Sequence, residues 1–368
     1  MRLVSLEIRD FRNIAAATLV PAERTTLVVG ENGQGKTNLL EALYLLATLR
    51  PLRANRFVEL VRFGQSKARV SGRFALSGAE RDVAVQVDER GREAFVDGKP
   101  VRDLSQYFGG VSVVAFTPDD LAVIKGGPDG RRRFLDRAVF NRFPSHLEAA
   151  RDYARALKQR NRLLKEGAEP TVLDAHNEEL ARLGARIAVS RAALIAELEP
   201  RAAQGFAAIA PEDGPLGLRY EPRDIPAEAR GEEEAARAAL LLGLRRSTAR
   251  DVERGFTSVG PHTHDLELLF GDRPARTYAS QGQQRAIVLA LKIGEIENLR
   301  AVLGRAPLLL LDDVSSELDP ARNAYLMGYL RASGLQVFLT TTDERLVRPA
   351  AGEDARCVSI CGGALSPA

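Results

Sequence analysis

Two cysteines, two methionines and no tryptophan occur in these 368 residues, and aromatic side chains make up only 6% of them. So little cysteine excludes a disulfide framework and points to a reducing compartment. Cys357 and Cys361 flank Val358-Ser359-Ile360, where strand alternation would put both on one face. Two buried small side chains fit that spacing better than metal ligands, because no second Cys/His pair stands nearby. Charge of one sign is missing too: 52 Lys+Arg against 49 Asp+Glu leave +3. No global basic field announces nucleic acid, so any such surface must come from local clustering. Long apolar runs are absent, and Ala306 to Leu311 is far too short to span a bilayer. Arg2, Glu7, Arg9, Asp10 and Arg12 exclude a signal-peptide core in the first dozen residues. The expectation is a cytoplasmic protein with no membrane partner, long enough for two lobes.

Against this plain background one string stands out. Gly30-Glu31-Asn32-Gly33-Gln34-Gly35-Lys36-Thr37 fills every fixed position of a G-x-x-x-x-G-K-[ST] phosphate-binding loop. Thr25 to Val29 before it is β-branched and apolar, as a buried strand should be. Asn38 to Leu46 after it has helical spacing, with Leu39, Ala42, Leu43 and Leu46 on one face. Strand, glycine loop and helix aim backbone N–H groups and a helix N-terminus at a polyphosphate. The glycines admit the phosphates closely, Lys36 would reach the β/γ-phosphates, and the Thr37 hydroxyl would ligate Mg²⁺. A chance glycine turn would not bring the right elements on both sides. The expected ligand is a nucleoside triphosphate with Mg²⁺.

The rest of the chain alternates between two textures. Leu3 to Arg9, Ala17 to Val20, Ala68 to Leu76, Asp82 to Val87, Glu93 to Val96 and Val111 to Phe116 read as strands. Ser77-Gly78, Arg90-Gly91 and Asp97-Gly98 supply turns, which predicts an antiparallel meander beside the nucleotide. From Arg131 the sequence turns Ala-, Leu-, Arg- and Glu-rich, with helices expected over 131–140, 148–166, 175–199 and 232–253. Leu180, Leu183, Ile187, Leu194 and Leu198 form one apolar stripe, while Pro200 to Pro226 interrupts the helices and encloses a short strand, Leu216 to Tyr220. The pattern is too short and broken for a coiled-coil arm. Strands resume at Phe256 to Val259 and Leu266 to Phe270. Helix (283–301), strand (308–311), helix (320–332) and strand (336–340) then supply parallel strands to the sheet of the phosphate loop. The fold class is therefore α/β, a P-loop ATPase head with an antiparallel β subdomain and an inserted helical lobe. Residues 1–130 and 255–368 would form the head, and 131–254 the lobe.

A second half-site lies downstream. Leu308 to Leu311 runs into Asp312-Asp313, an apolar strand ending in two carboxylates as in a Walker B segment. Asp312 is the candidate metal residue, and Asp313, next to it, the candidate for polarising an attacking water. Alone, such a run is equally a buried strand meeting solvent; the phosphate loop upstream decides for the functional reading. Ser280-Gln281-Gly282-Gln283 opens an apolar helix, which by itself could be an ordinary N-cap. Followed by the acidic strand and by Ser315-Ser316-Glu317-Leu318-Asp319, it makes the ordered set of the ABC-type ATPases. That resemblance implies a homodimer joined by ATP, in which Ser280, Gly282 and Gln283 bind the partner's γ-phosphate and Asp319 lies in the segment crossing the seam.

Further stretches narrow the likeness. Leu6 to Asn13 resembles the opening of the SMC-like ATPases, which adds Arg12 and Asn13 to the ATP-binding residues. Phe116-Thr117-Pro118-Asp119-Asp120-Leu121, Lys125 to Pro128, Arg131 to Asp136, Leu157 to Asn161 and Gly260-Pro261-His262 with Asp265 are similar to signatures of the RecF family. The resemblance runs from residue 1 to about residue 345. It implies an ATP-dependent DNA replication and repair protein, associated with the nucleoid, that dimerises on double-stranded DNA at single-/double-strand junctions. It also implies work alongside RecR and RecO to place RecA in gaps. Thr340 to Asp343 lacks the switch His of transporter-type relatives, Asp313 stands where many have Glu, and Thr263 replaces an expected basic residue. The first two departures fit a slow ATPase used as a timer.

Arg131, Arg132, Lys158 and Arg160 are the candidate DNA contacts. With Arg133, Arg155, Arg162 and Lys165 they predict a basic face that meets phosphates without reading sequence. The plain alternative is a solvated charged face with acidic partners. Two other functions share the phosphate loop. An ABC transporter domain would lack the helical insertion, and a metabolic P-loop kinase would have no use for the signature turn.

Overall fold

The computed structural model describes residues 1–54, 56–76, 79–101, 107, 111–314, 318–348, 352 and 354–367. The chain divides into two compact units, Met1–Asp120 with Leu299–Ala368, and Leu121–Asn298. In the first unit β1 (Arg2–Phe11), β2 (Ile14–Leu19), β4 (Lys67–Leu76), β5 (Ala79–Asp88), β6 (Gly91–Val96) and β7 (Lys99–Pro100) form an antiparallel sheet, in the order β2-β1-β4-β5-β6-β7. The expected turn at Ser77-Gly78 lies outside the described residues. The second sheet uses β3 (Thr25–Val29), β8 (Val113–Phe116), β12 (Leu308–Asp312), β13 (Val337–Thr341), β14 (Arg356–Cys361) and β15 (Ala364–Pro367). Its order is β15-β14-β3-β13-β12-β8, parallel throughout except for the β14–β15 hairpin. The strand before the phosphate loop thus sits between two strands from the far end of the chain.

Helix α1 (Lys36–Thr48) contacts β4 and β5 of one sheet and β8, β12 and β13 of the other. Eleven of its residues are buried, including Leu40 and Leu45 opposite the expected stripe. A helix covered on both sides has no use for a polar face, so its sequence is apolar nearly all round. Cys361, expected inside, is exposed at the end of β14, and Cys357 is half-buried; the hairpin lies at the sheet's edge, where only one strand neighbours β14 on that side.

The second unit holds α2 (Pro128–Arg142), α3 (His146–Glu166), α4 (Pro170–Ile209), α5 (Glu233–Arg254) and a sheet of β9 (Leu216–Glu221), β10 (Asp265–Phe270) and β11 (Arg273–Pro274). Helix α6 (Gln281–Leu303) starts in this unit. The stripe Leu180, Leu183, Ile187, Leu194 and Leu198 is buried as its spacing demands. Two expectations fail. Pro200 lies inside α4 instead of ending it. It removes the N–H that would bond Ala196, and Arg201 Nη1 donates to the next carbonyl, Glu197 O, at 2.6 Å. Phe256 to Val259 forms no strand, because side chains already hold its backbone. Thr257 N donates to Asn161 Oδ1 (2.8 Å) and Ser258 N to Asp251 Oδ1 (3.2 Å).

Candidate nucleotide site

The loop leaves β3 under tight constraint. Gly30 N donates to Thr341 O at 3.3 Å, and a Cβ at Gly30 would stand 2.5 Å from Ile360 O. Gly35 has φ +117°, and its Cβ would fall 2.9 Å from Asn13 Oδ1. Only glycine satisfies both the conformation and the contact. Glu31, Asn32 and Gly33 are exposed at the crest. Lys36 is buried and turns back on the loop, its Nζ donating to Gly30 O (2.7 Å) and Glu31 O (2.9 Å). Burial lowers its pKa, while Asp313 and Asp312 pull the other way. Its present partners are neutral carbonyls, which charged phosphate oxygens outcompete.

Asp312 gathers the two halves. Thr37 Oγ1 lies 2.9 Å from both of its carboxylate oxygens, across 275 residues of sequence. Thr340 Oγ1 reaches Asp312 Oδ1 at 2.9 Å and accepts from Asp313 N at 3.0 Å. One buried hydroxyl therefore ties both acids of the strand end to β13. This role of Thr340 was invisible before the strands were ordered. Asp313 takes φ +51°, a left-handed conformation that turns its side chain off the strand's alternation. A hydroxyl and a carboxylate are hard oxygen donors of the kind Mg²⁺ accepts. No cluster of three or more acidic, His or Cys side chains suited to a metal occurs among the described residues. The cation that fits here is one whose remaining ligands are phosphates and water.

A frame holds the loop from outside. Asn13 Nδ2 donates to Gln34 O (3.1 Å), and Asn38 Nδ2 donates to Asn13 Oδ1 (2.8 Å). Gly362 N donates to Gln34 Oε1 (2.6 Å) and Gly363 N to Gln34 O (2.9 Å). Arg12 Nε donates to buried Glu41 (2.9 Å) and its Nη1 to Glu59 O (2.7 Å). The other oxygen of Glu41 accepts from Arg53 N (3.0 Å), and Arg53 Nη2 reaches Asp312 Oδ2 at 2.7 Å. Arg12 and Asn13 thus stand where they brace the loop. Arg53 was not foreseen; no motif marks it.

The signature residues lie in the second unit. Ser280 is exposed, its N–H donates to Gln283 Oε1 (2.8 Å), and Gln283 N donates back to Ser280 Oγ (3.3 Å). This reciprocal capping box opens the 23-residue helix α6 and leaves its positive end facing solvent. Gln283 Nε2 is held by Asp213 (2.7 Å), and half-buried Gly282 lies in the first turn. Asp319 caps α7 (Pro320–Ser333) by accepting from Arg322 N at 3.1 Å. That backbone bond lowers its pKa, with help from the Arg322 guanidinium and against the opposing effect of burial. Ser315, Ser316 and Glu317 lie outside the described residues.

The expected DNA set does not survive intact. Arg160 is fully buried, donating to Asn177 Oδ1 (2.8 Å), Asp251 Oδ2 (3.0 Å) and Thr257 Oγ1 (2.8 Å). It faces inward because Ala149, Tyr153, Ala156, Arg160 and Leu164 all lie on the buried stripe of α3, a spacing readable in advance. Arg131 makes a two-pronged pair with Asp265, both contacts at 2.7 Å, and is also buried. Arg132 donates to His264 O at 2.9 Å and pairs with Asp129. Lys158 alone of the four is exposed without such a partner.

Comparison with known proteins identifies the family and the fold. The RecF/RecN/SMC N terminal domain family matches residues 2–360. The chain is 59% identical to the DNA replication and repair protein RecF of Myxococcus xanthus, over all of this chain and 97% of that one. It is 41% identical to the RecF of Geobacter metallireducens over the full length of both. The solved structure of the recombination mediator protein RecF-ATP in the RecFOR pathway superposes with a TM-score of 0.88, at 31% identity, covering 100% of this chain and 97% of that one. An Smc head, at 15% identity and a TM-score of 0.57, shares the fold. With a phosphate loop, an acidic strand and a signature helix on an ABC-type head, this chain belongs to the RecF family.

Proposed function

We propose that the chain binds Mg²⁺–ATP between Gly30–Thr37 and Asp312, and that two copies close around two nucleotides. The observation that carries this is the convergence of Thr37 and Asp312 at 2.9 Å, with Ser280 exposed on a free helix end. Lys36 and the loop amides would hold the phosphates, while Thr37 and Asp312 would hold the cation. Asp313 would orient the attacking water, and Ser280, Gly282 and Gln283 would complete the partner's site. Asp319 would lie near the seam. Relatives are named DNA replication and repair proteins. The closed dimer accordingly clamps duplex DNA at single-/double-strand junctions, works with RecR and RecO to load RecA at gaps, and is released by slow hydrolysis. The DNA contact is made by charge and shape, with exposed Lys158 the remaining candidate of the original set.

Light scattering with and without ATP, then with gapped duplex DNA, tests the reading. ATP should convert monomer to dimer, and DNA should favour the dimer. A monomer indifferent to both would overturn it. Lys36→Met should abolish nucleotide binding, whereas Ser280→Arg should keep binding and lose dimerisation. Loss of binding in the Ser280 variant would rule out a site completed by a second copy.

A further inference from the structure

We infer that Arg53 is the built-in counter-ion of Asp312, exchanged for the divalent cation that a nucleotide brings. The inference rests on the nucleotide reading above. The Asp312 side chain is only 4% exposed, and its oxygens accept from Thr37, Thr340 and Arg53. Of these donors only Arg53 carries a full charge. Lys36, the other cation nearby, is bonded to the carbonyls of Gly30 and Glu31 instead. A buried carboxylate needs a counter-charge, and in this arrangement the guanidinium supplies it.

A divalent cation would approach the same carboxylate to about 2.0–2.1 Å, beside a guanidinium nitrogen now 2.7 Å from Oδ2. Two positive groups that close in a poorly hydrated pocket repel strongly, so one leaves. Arg53 has the means to go. Its side chain is 39% exposed, and its Nε already lies 3.8 Å from Asp119, a carboxylate that is 77% exposed. Its backbone stays in place, because Arg53 N donates to Glu41 Oε1 at 3.0 Å. The side chain can therefore swing from Asp312 to Asp119 without moving the chain that carries it. Cation arrival is thereby reported to the segment after α1. Arg53 is a positioning residue in this scheme.

Two measurements decide it. The first is titration with a fluorescent ATP analogue, in Mg²⁺ and in EDTA, for the wild type and Arg53→Gln. Without its counter-ion, Asp312 repels metal-free nucleotide, while the cation meets no competitor. The ratio of the Mg²⁺ to the EDTA affinity should rise tenfold or more in the variant. An equal loss in both conditions, leaving the ratio unchanged, would mean that Arg53 serves the nucleotide or the fold directly, and would overturn the exchange. The second is thermal denaturation of the nucleotide-free protein in a cycle of Arg53→Gln and Asp312→Asn. Arg53→Gln should lower the midpoint in the wild type and leave it unchanged in the Asp312→Asn background. Additive losses would overturn the counter-ion. If the wild type binds no nucleotide in either condition, the nucleotide reading falls and the exchange with it, while the cycle still decides the pairing.

Discussion

The two units hold their charges in opposite ways. In the second unit they close on one another: Arg160 with Asp251, Arg191 with Asp136, Arg131 with Asp265, His264 with Asp224 and Tyr220. In the first, Lys36 is bonded only to neutral carbonyls, and Asp312 is shared among two hydroxyls and one half-exposed arginine. The paired charges form a bracket that builds a core; the others are the contacts that the proposed binding of phosphate and cation would exchange. A charged residue with family-specific spacing is therefore not functional merely by being charged. What distinguishes the two sets is whether the partners can be exchanged.

The sharpest way to break the comparison is to remove one buried cation from each unit. Arg160→Met strands Asp251 in the interior and should cost about 3–5 kcal/mol in urea denaturation. Lys36→Met removes no fixed ionic partner and should stay within about 1 kcal/mol, although it should abolish the proposed nucleotide binding. Equal costs would erase the distinction. Next comes Asp136. Burial alone would raise its pKa, but Arg191 and His146 outweigh burial and bring it from 3.8 to about 2. A carboxylate depressed in the fold stabilises above its unfolded pKa and loses that contribution as pH falls. Roughly 2 kcal/mol should vanish between about pH 4 and pH 2, and Asp136→Asn, less stable throughout, should lack that part of the slope.

His262 and His264 act at milder pH. Burial lowers both pKa values, Asp224 only partly offsetting this for His264. The unfolded chain then binds more protons below about pH 6.5, so stability should fall on acidification through that range. A flat profile from pH 7.5 to 5.5 would contradict the bracket. The smallest effect belongs to Lys158. Lys158→Glu should change stability by less than about 0.5 kcal/mol, yet weaken DNA binding and flatten its salt dependence. An unchanged salt slope would put the DNA elsewhere.

Much of this was readable in advance where function fixes spacing along the chain. Gly30 to Thr37 must lie in one loop, and Asp312 must end a strand, so both show as strings. Contacts closed between distant segments leave no string. Arg53 meets Asp312 across 259 residues, and Thr340 bridges two acids only once β12 and β13 are neighbours. Arg160 is a different case: the stripe on α3 already placed it inside, but its charge and its neighbours Lys158 and Arg162 drew the reading to a surface. Phe256 to Val259 failed because β propensity cannot see that Asn161 and Asp251 have taken the backbone donors.

The turn at Gly362-Gly363 has a bearing on time as well as shape. It holds Gln34 in a loop closed across 328 residues, and β3 lies between β13 and β14. A ribosome delivers the phosphate loop early, but the groups that fix it emerge some 300 residues later. At ordinary synthesis rates of about 5–20 residues per second, that is a delay of many seconds. During that interval β3, which leads into the loop, lacks both of its neighbours in the sheet, β13 and β14. The proposed nucleotide site is therefore among the last features that the growing chain completes.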